Sequence, residues 1–221
     1  MRPNQMTLIT ATLLAVFLVG CSKKSATPPE ETPTPTTTPP PTSMAQSAKG
    51  QIRFKADLRI ENDFASILSL SGPVCTELGQ YSCAGDVHKV ALGGVDPYTG
   101  GVYEPAERTG VTSPLIVERV ALSACDKRVQ ADFADTTAAI IFRNLPLDNS
   151  GKITNPGASE VADAVDTLAR RAWLRPARND EIAAIVGLYS DVEISGAADP
   201  AQQWAKLSCM VVLTSMETLF Y

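Results

Sequence analysis

The stretch Ser159-Glu160-Val161-Ala162-Asp163-Ala164-Val165-Asp166-Thr167-Leu168-Ala169-Arg170-Arg171-Ala172-Trp173-Leu174-Arg175-Pro176 decides the fold class. Val161, Val165, Leu168 and Ala172 recur at three- and four-residue spacing, which collects them on one face of an α-helix. Asp163 and Asp166 lie one turn apart on the outer face, the pattern of a solvated surface. Pro176 cannot continue the ladder and ends the helix near Leu174.

The same period extends in both directions. Downstream, Asn179-Asp180-Glu181 opens a helix through Tyr189, with Ile182, Ile185, Val186 and Tyr189 inward. Asp199-Pro200-Ala201-Gln202 opens the last helix: Asp199 is the expected cap, Pro200 takes the first turn and Gln202 reaches back. Trp204, Leu207, Val211 and Leu219 are its expected buried side. Upstream, Ser113-Pro114 is an expected cap and first turn, followed by Leu115, Ile116, Val120, Ala124 and Val129 at helical spacing. A short helix over Ala138–Asn144 and a loop over 146–157 complete that part.

Residues 51–112 read differently. From Gln51 to Ile60 apolar and charged residues alternate, which predicts a half-buried strand turning helical near Glu61. Gly93-Gly94, Asp96-Pro97 and Gly100-Gly101 are turn signals, and the valines and tyrosines between them suggest a hairpin. The expected fold is therefore mainly α: a small helical bundle over 113–221, with a short irregular or β N-terminal part over 51–112. Both follow a disordered Pro/Thr-rich tether.

The tether and its origin are read from the first fifty residues. After Arg2 comes an apolar run from Met6 to Val19, shorter than the roughly 20 residues a spanning helix needs. That run has the form of a signal peptide over 1–20. Leu18-Val19-Gly20-Cys21 resembles the lipobox of bacterial lipoproteins. The resemblance implies cleavage before Cys21, lipid modification of its thiol and anchoring in a membrane, with Ser22 in the position that sorts to the outer membrane. From Ser22 to Gly50, Pro28-Pro29, Pro33, Pro35 and Pro39-Pro40-Pro41 punctuate a tract nearly free of apolar residues. Such a tract buries no core and favours an extended spacer, at about 3.1 Å per residue.

Composition narrows the function classes. A net charge of −5 lacks the basic stripe that nucleic acid demands. Once Cys21 is acylated, Cys75, Cys83, Cys125 and Cys209 remain, an even number suited to an oxidising compartment. Cys75 and Cys83 flank a short turn-rich stretch and are spaced for a local bridge. Cys125 and Cys209 fall on apolar helix faces, where they either pair across the core or stay as buried thiols. There is no Cys-x-x-Cys-His string for covalent haem, no close-spaced Cys/His set for zinc, and a single histidine, His88. Asp86 stands near His88, but no nucleophile elbow accompanies them. No catalytic residue, metal or cofactor is assigned.

Arg170, Arg171, Arg175 and Arg178 form the basic cluster. One reading is a docking patch for an acidic partner or lipid phosphate; the other pairs Arg170 and Arg171 with acids such as Asp166 and Asp180, fixing a corner between helices. Trp173 and Trp204 are expected core anchors. The run Leu168–Pro176, then Asp180-Glu181-Ile182, Leu188-Tyr189, Leu213-Thr214-Ser215 and Glu217–Tyr221, resembles the planctomycete-type cytochrome-associated domain of unknown function over residues 160–221. Arg178 stands where that family has a capping threonine, which passes the expected cap to Asn179. The resemblance implies a helical, exported module and no activity. The expectation is a membrane-anchored, non-enzymatic interaction or scaffold module with an envelope protein partner. The alternative is an accessory subunit of an exported redox or polymer-degrading assembly.

Overall fold

The computed structural model describes residues 52–105 and 110–221. The expected signal peptide, the expected lipidation site Cys21 and the expected tether lie outside them. The chain is mainly α-helical. The elements are α1 (Asp57–Leu68), β1 (Thr76–Glu77), β2 (Tyr81–Ser82), α2 (Ser113–Ala134), α3 (Ser159–Trp173), α4 (Asn179–Ile194), α5 (Pro200–Leu213) and α6 (Met216–Leu219). A π-helical turn over Cys83–Val87 and a 3-10 turn over Val90–Leu92 follow the hairpin. Helix α2 packs most extensively on α5; α3 and α4 close over α5, and α1 lies against α2 and α3.

The expected strand over 51–60 is a correction. Only residues 53–55 pair as a strand would, and they do so with the C-terminal residues: the Arg53 N–H donates to the Tyr221 carbonyl at 3.0 Å and the Lys55 N–H to the Leu219 carbonyl at 2.9 Å. From Asp57 the chain is helical, because Ile60, Phe64, Ile67 and Leu68 at helical spacing reach the core while Leu58 stays exposed. Among the described residues the alternation upstream has no second long strand to pair with. The two-stranded sheet is β1–β2, antiparallel with Thr76 opposite Ser82, inside the Cys75–Cys83 loop. In place of the expected hairpin around the glycine pairs there is one bridge, Asp96 opposite Val102 across Gly100-Gly101.

One glycine is required by packing. A Cβ on Gly94 would stand 2.5 Å from Asp57 Oδ2, so the turn after the 3-10 segment presses directly on the start of α1. The neighbouring Ser113 is not a cap: Thr112 holds that position, and the Ser113 hydroxyl donates instead to the Ala91 carbonyl at 2.5 Å. That bond ties the start of α2 to the glycine-rich segment.

The expected helix over Ala138–Asn144 does not form. Asp132, fully buried in α2, takes over the backbone there: Oδ1 accepts from the Ile140 N–H at 2.9 Å, and Oδ2 from the Ile141 and Phe142 N–H groups at 3.0 Å each. Three amides satisfied by one carboxylate leave no need for a helical ladder. Arg128, one turn earlier, neutralises the same carboxylate at 2.7 Å.

The helices read from 159 onward are present. Val161, Val165, Leu168 and Ala172 are all buried. Helix α4 runs on to Ile194, a turn beyond Tyr189, and the Tyr189 hydroxyl accepts the Ile153 N–H at 2.9 Å. In α5 the buried face is Ala201, Trp204, Ala205, Ser208, Cys209 and Val212; Val211 faces outward, and Leu219 belongs to α6. Asp199 sits at the cap position without a side-chain cap bond. The cap of α4 is Arg178 rather than Asn179, with the Glu181 carboxylate accepting the Arg178 N–H at 2.8 Å.

Candidate functional site

The four cysteines pair as Cys75–Cys83 and Cys125–Cys209, and all four are buried. The first bridge closes the hairpin. The second joins α2 to α5 at the centre of the core, with Cα atoms 5.7 Å apart, and excludes the free-thiol alternative. Beside it, Trp204 is fully buried, donates to the Ile185 carbonyl at 2.9 Å and meets Phe142 edge-on. Trp204 is the expected core anchor.

The sequence-predicted arginines occupy one corner, where α3 ends and α4 and α6 begin. Arg170 pairs with Asp166 at 2.6 Å along α3. Burial pushes the Asp166 carboxyl up, but Arg170 and the Ala177 N–H together outweigh it and hold the group below its ordinary value. Arg171 has no acidic partner among the described residues; it caps the last turn of α1, donating to the Ile67 and Ser66 carbonyls and to the Ser69 hydroxyl. A cation is favoured there because the carbonyls at a helix C-terminus lack internal donors.

Arg175 is the hub of the corner. It reaches Glu181 with two N–H groups, at 2.9 and 2.8 Å, and Glu217 at 2.9 and 2.6 Å. Its guanidinium lies 4.9 Å above the Trp173 ring, whose N–H donates to the Ser215 hydroxyl at 2.7 Å. Trp173 is thus half-buried, packed against the edge of the core and joined to this cluster. Arg175, with help from the Arg178 N–H, brings the Glu181 carboxyl down to about 2 and holds Glu217 below its ordinary value. The Glu181 and Glu217 carboxylates in turn raise the Arg175 pKa. Arg178 pairs with Asp180 and Glu181. The four arginines are therefore engaged within the chain: Arg170 pairs with Asp166 as the corner-fixing reading expects, whereas Arg171 goes to the end of α1 instead of to an acid, and Asp180 is taken by Arg178.

His88 faces Glu77, Nε2 to Oε1 at 3.2 Å, and Glu77 also receives Arg119 from α2 at 2.8 Å. Asp86 accepts the Ser82 N–H rather than approaching His88. The Ser82 hydroxyl is engaged between the Gly85 N–H and the Glu61 carboxylate. These bonds hold the stapled hairpin on α1 and α2.

One polar feature was not legible as a site in the sequence. A groove of about 310 Å³ lies between the 141–144 turn and the outer face of α3. Arg143 and Asn144 line one wall; Glu160, Asp163 and Thr167 line the other. Asp163 was read as a solvated face, which is correct for its exposure, but Arg143 is brought opposite it only by the Asp132-held turn. Among the described residues there is no group of carboxylates, histidines and cysteines arranged to hold a metal ion, and no helix is long and apolar enough to cross a membrane.

Fold and bonding together define a mainly α-helical domain stapled by two buried disulfides. Compared with models of known protein families, with curated proteins and with solved structures, the chain has no match.

Proposed function

We propose that the chain is a lipid-anchored envelope lipoprotein, held in the outer membrane through Cys21, whose helical domain is a non-enzymatic interaction module. The observation that carries this reading is the pair of buried disulfides downstream of the lipobox-like Leu18–Cys21: with Cys21 set aside for lipid, every other cysteine is oxidised. Disulfides of this kind persist in compartments outside the cytoplasm, where a lipoprotein would also reside.

Two further features support the interaction part. The stapled, loop-rich side leaves Leu78, Tyr98, Tyr103 and Val111 largely exposed, side chains that bring apolar area to a protein contact. Of the segments that resemble the cytochrome-associated domain, Leu168–Pro176 is joined to Asp180–Ile182, to Leu213–Ser215 and to Glu217–Tyr221, through Arg175–Glu181, Trp173–Ser215 and Arg175–Glu217. That supports reading 160–221 as one module of an exported protein.

The test is fractionation and crosslinking in cells. Wild-type chain should sediment with envelopes and crosslink to an envelope protein, whereas Cys21→Ser should appear in the soluble fraction. A Cys21→Ser chain that sediments like wild type would remove the anchoring claim. An absence of any crosslinked partner for the anchored chain would remove the interaction claim.

A further inference from the structure

The groove between the 141–144 turn and α3 carries an inference beyond anchoring. Its two walls are fixed by the core. Asp132 clamps the Ile140, Ile141 and Phe142 amides, which places the next two residues, Arg143 and Asn144; Asn144 is held in the left-handed conformation at φ 58°. The opposite wall is α3, whose inner face is buried through Val161, Val165 and Leu168. The backbone of both walls is thus in place before a ligand arrives, and the cost of ordering on binding falls on the exposed side chains.

Groups in the groove divide into two sets. Asp166 and Arg170 satisfy each other, and Glu160 accepts from the Ser159 hydroxyl. The side chains of Arg143, Asn144, Asp163 and Thr167 make no hydrogen bond or ion pair with any described residue, although all four line the same space. A guanidinium and a carboxylate thus face one groove without closing on each other. A simple anion would meet Asp163 and Glu160, and a simple cation would meet Arg143. A molecule carrying both charges satisfies both walls.

From this geometry we infer that the groove binds a small zwitterion, an α-amino acid or a dipeptide with both termini free. Arg143 takes the carboxylate, with its planar fork matched to two oxygens. Asp163, helped by Glu160, takes the ammonium. Asn144 and Thr167 supply hydrogen bonds to the polar atoms between them. The volume lies at the small end of the range for ligand sites, and the lining is polar, which suits a ligand of this size and character. The inference is independent of the anchoring reading, since no residue of the groove belongs to the N-terminal segment.

The test is calorimetric titration of the full purified chain with alanyl-alanine, with N-acetyl-alanyl-alanine, with alanyl-alanine amide and with free alanine. The unmodified dipeptide should bind, and loss of either terminal charge should weaken it about tenfold or more. Binding of free alanine at similar strength identifies an amino-acid site; binding of the dipeptide alone identifies a dipeptide site. Arg143→Ala should weaken the dipeptide but leave the amide unaffected, and Asp163→Asn should weaken the dipeptide but leave the N-acetyl form unaffected. Both side chains are exposed, so folding should persist, and an unchanged melting temperature checks it. Absence of heat with every probe up to about 10 mM, or equal binding by wild type and both variants, overturns the proposal. A Cys21→Ser chain should bind as wild type does, whatever becomes of the anchor.

Discussion

Arg171 and Ile67 stand 104 residues apart, yet the Arg171 Nε–H donates to the Ile67 carbonyl at the end of α1. This contact fastens the first described helix to α3. Arg171→Ala should lower stability by about 1–2 kcal/mol, the scale of a charge-assisted hydrogen bond at a helix C-terminus. Urea denaturation followed by circular dichroism measures it. An unchanged midpoint would show that α1 is held by its apolar face alone.

The Arg175 corner has a pH signature. Glu181 protonates at about 2 in the folded chain against 4.5 for the free side chain. Its folded value is depressed, so the unfolded chain binds the proton first: the pair stabilises fully above about pH 5 and its contribution is lost as pH falls toward about 2. Melting temperature should fall across that window. Glu181→Gln should melt lower at neutral pH and show a shallower fall, and a parallel pair of curves would contradict the assignment.

The two disulfides should differ in weight. Cys125–Cys209 closes 84 residues and Cys75–Cys83 closes 8. Loop-closure entropy assigns about 4–5 kcal/mol to the first and about 2–3 kcal/mol to the second. Paired Cys→Ala substitutions measured by chemical denaturation should preserve that order.

Asp132 organises the 140–142 turn. Asp132→Ala leaves Arg128 buried without its counter-charge and frees three amides, a loss of about 3–5 kcal/mol. Hydrogen exchange should accelerate at Ile140, Ile141 and Phe142 ahead of the α3 amides. Uniform protection in the variant would show that the turn holds itself.

The helices from Ser159 onward were legible because an amphipathic period and its stop signals lie within each segment. Cysteine count and position pointed to the bridges, although only the packing of α2 on α5 decides that Cys125 meets Cys209. The start of α1 and the 140–142 turn were misread for one physical reason. Residues 53–55 find their pairing partners at Leu219 and Tyr221, and Ile140–Phe142 find theirs in Asp132, so neither conformation is set by its own neighbours in sequence. The arginines were visible as a cluster, but their partners Ile67, Ser69 and Glu217 are distant in the chain. Arg143 carried no signal, since its place opposite Asp163 follows from the misread turn.

The intact mass of the mature chain extracted from envelopes tests the central claim most directly. The mature polypeptide should begin at Cys21, lack Met1–Gly20 and carry the added mass of a diacylglyceryl group on that cysteine. A chain that retains Met1–Gly20, or one that begins elsewhere without lipid, would contradict it.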